Sequence, residues 1–231
     1  MKRSGFALLL CSLLIPAGAA ADEAFTITPI KHASFVLQTG ATTIYVDPVG
    51  EAAAFAGVAP PDLILITHIH KDHLDPQLVA TLKQEQTQII GPPTVIEQLG
   101  YGTILRNGET RTILGLTIEA MAAYNTSAER LSFHPQTRNN GYLLSKAGVR
   151  LYISGDTEDI PEMRALRDID IALACMNLPY TMTVEQAADA VNAFKPAQVI
   201  PYHYRGKDGM SDLEAFERLV TASTVRKLTW Y

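Results

Sequence analysis

The sequence predicts an α/β fold in which two sheets pack together with helices outside, and three observations predict it. Runs with β character at residues 25–30, 34–38 and 42–46 open the chain with only short turns between them, spacing that makes an antiparallel meander. In the last third, β-type runs alternate with helical patterns, the arrangement that puts helices on the faces of a sheet. Between these regions, the apolar run Leu63-Ile64-Leu65-Ile66 leads directly into Thr67-His68-Ile69-His70-Lys71-Asp72-His73, the end of a buried strand followed by a polar turn.

The elements follow in order. The second and third strands are joined through Thr39-Gly40-Ala41, a turn that glycine favours. A strand over 62–67 delivers the histidines. Asp75 before Pro76 marks a helix start, with the helix running over 76–86. A strand at 88–90, a helix at 93–99 and strands at 102–105 and 116–121 come next. Residues 124–140 are rich in Ser, Thr, Asn, Arg and Pro without a period, so they form a loop, placed over the site. Strands at 141–145 and 149–153 are joined in hairpin fashion by Lys146-Ala147-Gly148. Helices at 161–167, 184–194 and 211–219 then alternate with strands at 169–174, 197–201 and 226–230. Thr183 caps the middle helix, and Gln186 three residues on completes a capping box.

The first 21 residues read as a secretory signal. Lys2 and Arg3 precede an apolar stretch from Phe6 to Ile15, then Pro16 and the small run Ala17-Gly18-Ala19-Ala20-Ala21. Cleavage after Ala21 leaves one domain over 22–231, exported, with the bacterial periplasm as destination. The apolar stretch is too short for a bilayer span, and Cys11 lacks the small preceding residue of a lipid-attachment site, so no membrane anchor is expected after cleavage. The net charge of −5 becomes more negative once Lys2 and Arg3 are removed, and no basic run exists. Nucleic acid is therefore excluded as an expected partner; a small-molecule substrate is expected. Cys175, in the apolar run 169–175, is the one thiol of the mature chain, so it forms no intramolecular disulfide and reads as buried and inert.

Four side chains of metal-ligand type within six positions point to a metal site, because neutral imidazoles and carboxylates are what zinc or iron selects. Strand periodicity sends His68 and His70 to the same side. Asp72 and His73 follow at the turn and serve a second ion. Further ligands stand at strand ends: Asp156 in Ser154-Gly155-Asp156-Thr157, where Gly155 permits a sharp turn and the carboxylate can bridge two ions, and His203 after the strand 198–201.

In type, order and strand-end context, His68, His70, Asp72, His73, Asp156 and His203 resemble the H-x-H-x-D-H signature with distant Asp and His of the metallo-β-lactamase fold superfamily. The resemblance covers the whole mature chain. Gly155-Asp156-Thr157, the run from Met182 to Ala187 and Ile200-Pro201-Tyr202-His203-Tyr204 are similar to a branch described only as metal-dependent hydrolases. It implies a four-layer αββα sandwich with metals at strand ends, a third histidine for the first ion, and Zn2+ as cofactor, two ions with iron or manganese as alternatives. His134 is the histidine available for that third place, whereas Asn125 occupies the position directly after the preceding strand. His32 and Asp47 stand where the branch has Gly-His-Ala and Asp-Pro near the metals, with Lys31 in place of the glycine, and imply a role in supporting metal-bound histidines. Tyr124, Arg138, Asn139 and Tyr204 are expected around the pocket.

The function these residues imply is hydrolysis of an ester, lactone, amide or phosphodiester by a metal-activated water, with two ions about 3.5–4 Å apart; the catalytic pair Asp72 and Asp156 would hold the ions and orient the hydroxide. A mononuclear iron oxidoreductase on the same fold and a noncatalytic metal-binding protein are the alternatives. β-Lactam hydrolysis fits export but not the Gly155-Asp156-Thr157 pattern.

Overall fold

The computed structural model describes residues 24–231; the signal segment at 1–21 lies outside the described residues. Its first sheet comprises β1 (Thr26–Lys31), β2 (Ser34–Thr39), β3 (Thr42–Val46), β4 (Leu63–Leu65), β5 (Gln88–Gly91) and β6 (Thr103–Ile104), hydrogen-bonded in that order. The meander β1–β2–β3 is antiparallel, and β3 to β6 are parallel. Helices α1 (Pro76–Leu82) and α2 (Pro93–Leu99) make the crossovers from β4 to β5 and from β5 to β6, and a 3-10 turn at Ala52–Phe55 lies between β3 and β4.

The second sheet begins with β7 (Thr110–Ile113), β8 (Leu116–Ala123), β9 (Asn139–Lys146) and β10 (Val149–Ile153), all antiparallel neighbours. After α3 (Pro161–Arg164) it continues in parallel with β11 (Ile171–Cys175), α4 (Val184–Phe194) and β12 (Gln198–Tyr202). A small hairpin of β13 (Arg205–Gly206) and β14 (Gly209–Met210) precedes α5 (Leu213–Leu219), and β15 (Thr224–Val225) completes the sheet beside β12.

Alternation in the strands explains the layering. Phe35, Leu37, Ile44, Val46, Leu63 and Leu65 join the main core with Leu116, Ile118, Leu144, Leu151 and Ile153 of the other sheet. Val36, Tyr45, Ile64 and Ile66 project from the opposite face onto Leu78 and Val79 of α1 and Val95 and Ile96 of α2. A strand buried on both faces must be apolar at every position, which is why 63–66 reads as an unbroken run. Each such side chain contributes roughly 1.5–3 kcal/mol relative to exposure. On the other outer face, Ala187, Val191 and Phe194 of α4 are buried, with Phe194 edge-on to Tyr152 at 6.0 Å. The four-layer αββα expectation holds.

Several element boundaries differ from expectation. Helix α1 stops at Leu82 rather than 86, because Lys83-Gln84-Glu85-Gln86 offers nothing to bury, and Thr87 Oγ1 instead accepts from the Gln84 amide at 2.8 Å. The expected strand at 226–230 is absent; Trp230 there is buried by ring contacts with Phe35 and Tyr202 rather than by ladder pairing. The short β7, β13 and β14 went unanticipated. The capping box of Thr183 and Gln186 is present on both sides.

The two sheets are tied together at one end. The Tyr142 hydroxyl donates to the Ile66 carbonyl at 2.7 Å, and the Asn140 amide to the Thr67 carbonyl at 2.9 Å. This joins the exit of β4 to the start of β9, whose partner β10 ends beside it. The carboxyl ends of parallel strands from both sheets thus meet at one edge, where α/β folds bind ligands.

Candidate metal centre

All six histidines of the chain gather at that edge. His68 is 4.6 Å between ring centroids from His70, 4.0 Å from His73 and 5.2 Å from His134. His203 is 4.8 Å from His73 and 4.0 Å from His32. They arrive on separate elements: the β1–β2 turn, the segment after β4, the loop before β9 and the end of β12. Asp156 enters after β10.

Three groups of ligand atoms, each within 4.8 Å of one another, result: His68, His70 and His134; His68, His73 and Asp156; and His32, Asp72 and His203. Asp156 Oδ2 is 3.3 Å from both His134 Nε2 and His203 Nε2, and its Oδ1 is 3.4 Å from His73 Nε2. His68 Nε2 and His70 Nδ1 are 3.0 Å apart, and His203 Nε2 and Asp72 Oδ2 3.6 Å. Ligand atoms about 2.0–2.2 Å from one tetrahedral ion stand roughly 3.3–3.6 Å apart, so the spacing fits shared cations. One buried atom adds to the fit: His134 Nε2 has no hydrogen-bond partner, which is costly without a cation beside it.

The supporting shell is equally specific. Asp47, fully buried, accepts from the Thr67 amide, the Thr67 hydroxyl and His73 Nδ1, each at 2.7 Å. That fixes the His73 ring with Nε2 toward Asp156. Backbone strain concentrates here: His32, Asp47 and His203 have φ of 58°, 44° and 47°, a region costing L residues roughly 1–2 kcal/mol each. Gly155 has φ of 61°, and a Cβ there would meet the Asn140 carbonyl oxygen at 2.6 Å. Only glycine allows the chain to turn Asp156 into the site at that point.

Burial, reinforced by neighbouring imidazoles, pushes His68 and His70 below the ordinary histidine range, and burial lowers His203 despite Asp156. These rings stay neutral with lone pairs available. Burial opposes the charge of His73, yet Asp156 and Asp47 outweigh it and raise His73 well above the ordinary value. Burial would likewise raise Asp72 and Asp156, but His32 with His73 and His203 hold Asp72 down, and His203 with His73 hold Asp156 down.

A cavity of about 310 Å3 opens on this cluster, lined by His70, Asp72, Phe133, His134, Asp156, Asn177 and Tyr180. The expected pocket residues Tyr124, Arg138, Asn139 and Tyr204 do not line it. The Tyr124 hydroxyl donates instead to Glu162 at 3.0 Å, Asn139 is buried in β9, and Tyr204 stands edge-on to Tyr231. Phe133 and Tyr180, edge-on at 5.2 Å, form the apolar wall in their place. Asn177, at the end of β11, went unnoticed in the sequence. Its Oδ1 accepts from Thr181, and its Nδ2 lies 3.3 Å from His203 Nε2. Its signal was the strand-end position already used for Asp156 and His203. Glu158 was also missed: it is buried and accepts from the amides of Thr126 and Ser127 at 2.7 and 2.6 Å and from Arg130 at 2.5 Å, anchoring the loop that carries His134.

Known proteins resemble this chain in sequence and fold. Residues 26–203 match the family model described as the beta-lactamase superfamily domain. A metal-dependent hydrolase of Thermococcus kodakarensis is 30% identical over 205 residues, covering 83% of this chain and 90% of that protein. A crystal structure from Parabacteroides distasonis, described as a candidate metal-dependent hydrolase, is 43% identical with TM-score 0.82, over 88% of this chain and 92% of that one. A metallo hydrolase from Ignicoccus hospitalis, 22% identical with TM-score 0.76, shares the fold over 89% of this chain and 95% of its own. The chain therefore belongs to the β-lactamase superfamily and, within it, to the group of metal-dependent hydrolases that these relatives represent.

Proposed function

We propose that this chain is an exported hydrolase that uses two Zn2+ ions to cleave an ester, lactone, amide or phosphodiester in a small molecule. The observation that carries the reading is the position of Asp156, one carboxylate oxygen of which lies 3.3 Å from histidines of both halves of the cluster, His134 and His203. His68, His70 and His134 would hold one ion; Asp72, His73, Asp156 and His203 would hold the other. Such ions supply Lewis acidity and an activated water when bound.

The chain's own residues do the rest. Asp156 and Asp72, held ionised by the surrounding imidazoles, neutralise cationic charge and orient the attacking water. Asn177 lines the cavity; with Oδ1 occupied by Thr181, its Nδ2 is the atom that would stabilise charge developing on the substrate oxygen. Phe133 and Tyr180 receive the apolar part of the substrate and exclude water from one side of the cavity. No helix among the described residues is long and apolar enough to cross a membrane, which is compatible with release after cleavage at Ala21.

The test is elemental analysis of the purified protein, with turnover measured on a panel of esters, lactones, amides and phosphodiesters before and after chelation. Two equivalents of zinc and chelator-sensitive turnover are expected. Iron with visible absorbance would replace the reading by the oxidoreductase alternative, and metal without turnover on any class by the noncatalytic one. Mass spectrometry of a periplasmic fraction should find Asp22 as the first residue; a chain retaining Met1 in the cytoplasm overturns the export assignment.

A further inference from the structure

We infer that His32 is a ligand of the second ion, positioned by the hydroxyl of Tyr231. The inference rests on the two-metal reading above and adds a residue and a support that reading does not use.

Three independent observations converge on it. The first is placement: His32 Nε2 is 3.3 Å from Asp72 Oδ2, and with His203 these residues form a ligand group within 4.8 Å. The second is the backbone. His32 and Ala33 make the turn between β1 and β2, in which Lys31 pairs with Ser34, and His32 has φ of 58°. A tight hairpin turn with positive φ at its first central position is ordinarily made by glycine. A histidine held there keeps its ring against His203, at 4.0 Å between centroids, at the cost of a disfavoured conformation.

The third observation is the far side of the ring. His32 Nδ1 is 2.7 Å from the Tyr231 hydroxyl. A histidine that binds metal through Nε2 carries its proton on Nδ1 and donates it to a fixed acceptor. Tyr231 is such an acceptor: its ring stands edge-on to Tyr204 at 5.0 Å, and the Arg205 guanidinium lies over it at 4.7 Å. A phenol both donates and accepts, so it holds His32 in either tautomer, with Nε2–H toward Asp72 or with the Nε2 lone pair toward a cation. His32 thus belongs with the ligands rather than behind them, and Tyr231 takes the supporting place that Asp47 takes for His73.

The experiment uses the full-length mature chain and Zn2+ or Co2+ alone as probe. His32→Asn suits the backbone, because asparagine tolerates positive φ, but it removes the ring. Competition with a chromophoric chelator should show the second equivalent weakened at least about 10-fold in His32→Asn, with the first unchanged. X-ray absorption of the Co2+ protein should show one fewer imidazole. Tyr231→Phe, which removes one oxygen, should weaken the same equivalent by a smaller factor and keep the imidazole count. An unchanged imidazole count and second-equivalent affinity in His32→Asn overturns the inference while leaving the two-metal reading intact. A wild-type chain that binds fewer than two equivalents overturns both. If His32→Asn fails to fold by circular dichroism, an unchanged second equivalent in Tyr231→Phe overturns the inference.

Discussion

Asn125 and His134 face each other in the loop between β8 and β9, with Asn125 Nδ2 3.1 Å from His134 Nδ1. Asn125 also donates from Nδ2 to the carbonyls of Arg130 at 2.9 Å and Tyr180 at 2.7 Å, which occupies both amide hydrogens. His134 Nδ1 then donates to the Tyr180 carbonyl at 3.2 Å, leaving the Nε2 lone pair directed at Asp156. Asn125 holds the loop that places the ring, and the ring reaches the site. His134→Ala should lose one equivalent of metal on dialysis against a weak chelator. Asn125→Ala should retain it with affinity reduced roughly 10–100-fold. Loss of metal from Asn125→Ala alone would reverse these roles.

That pair also marks where the sequence stopped being legible. His68, His70, Asp72 and His73 could be read because they crowd into one short turn directly after the apolar strand β4, so sequence proximity alone brings them together. Asp156 and His203 could be read because each ends an apolar run. His134 lies nine residues past Asn125 in a loop with no period, and its approach depends on Glu158 and Tyr180, contacts that no local pattern encodes. The missing strand at 226–230 has the same origin: Trp230 has β character, but its neighbours Phe35 and Tyr202 are distant in sequence.

Asp47 lies behind the second half of the site, and its removal should be felt in both folding and metal binding. Asp47→Ala strands the Thr67 amide and His73 Nδ1 in a buried place, a loss of roughly 3–5 kcal/mol for a broken buried pair. Asp47→Asn keeps an acceptor for Thr67 but weakens the hold on His73, so stability should fall less while second-equivalent affinity falls roughly 10–100-fold. Thermal unfolding of the metal-free proteins, followed by zinc titration, checks both halves. A metal-free Asp47→Ala protein as stable as wild type would show that the network is not structural.

Glu158 gives the His134 loop a pH limit. Burial would raise its pKa, but hydrogen bonds from Ser127, Arg130 and Thr126 lower it from 4.5 to about 2. A depressed carboxylate contributes stability that is fully present above its unfolded value and is lost as pH falls through the folded one. The loop anchorage should therefore weaken between about pH 4.5 and 2. Glu158→Gln should cost roughly 1–3 kcal/mol at neutral pH and flatten that part of the acid dependence. Melting temperatures from pH 7 to 2.5 measure this; parallel wild-type and mutant curves would remove Glu158 from the account.

The two halves of the site should differ in the protons they release on binding zinc. His68 and His70 are lowered by burial and neighbouring imidazoles, so they remain neutral below the ordinary pKa of about 6.5 and give up no proton at neutral pH. His73 is raised well above it by Asp156 and Asp47; without metal it carries protons on both nitrogens, Nδ1 toward Asp47 and Nε2 toward Asp156. A cation at the second group displaces the Nε2 proton, because only the neutral ring has a lone pair to offer. Calorimetric titration in buffers of different ionisation enthalpy should therefore find about one proton released with the equivalent bound by Asp72, His73, Asp156 and His203. Raising the pH through neutrality should strengthen that equivalent more than the other. His73→Asn should abolish the release along with much of the affinity, whereas His70→Ala should leave it in place. Equal proton release by the two equivalents would contradict the charge assigned to His73 and the role of Asp47 behind it.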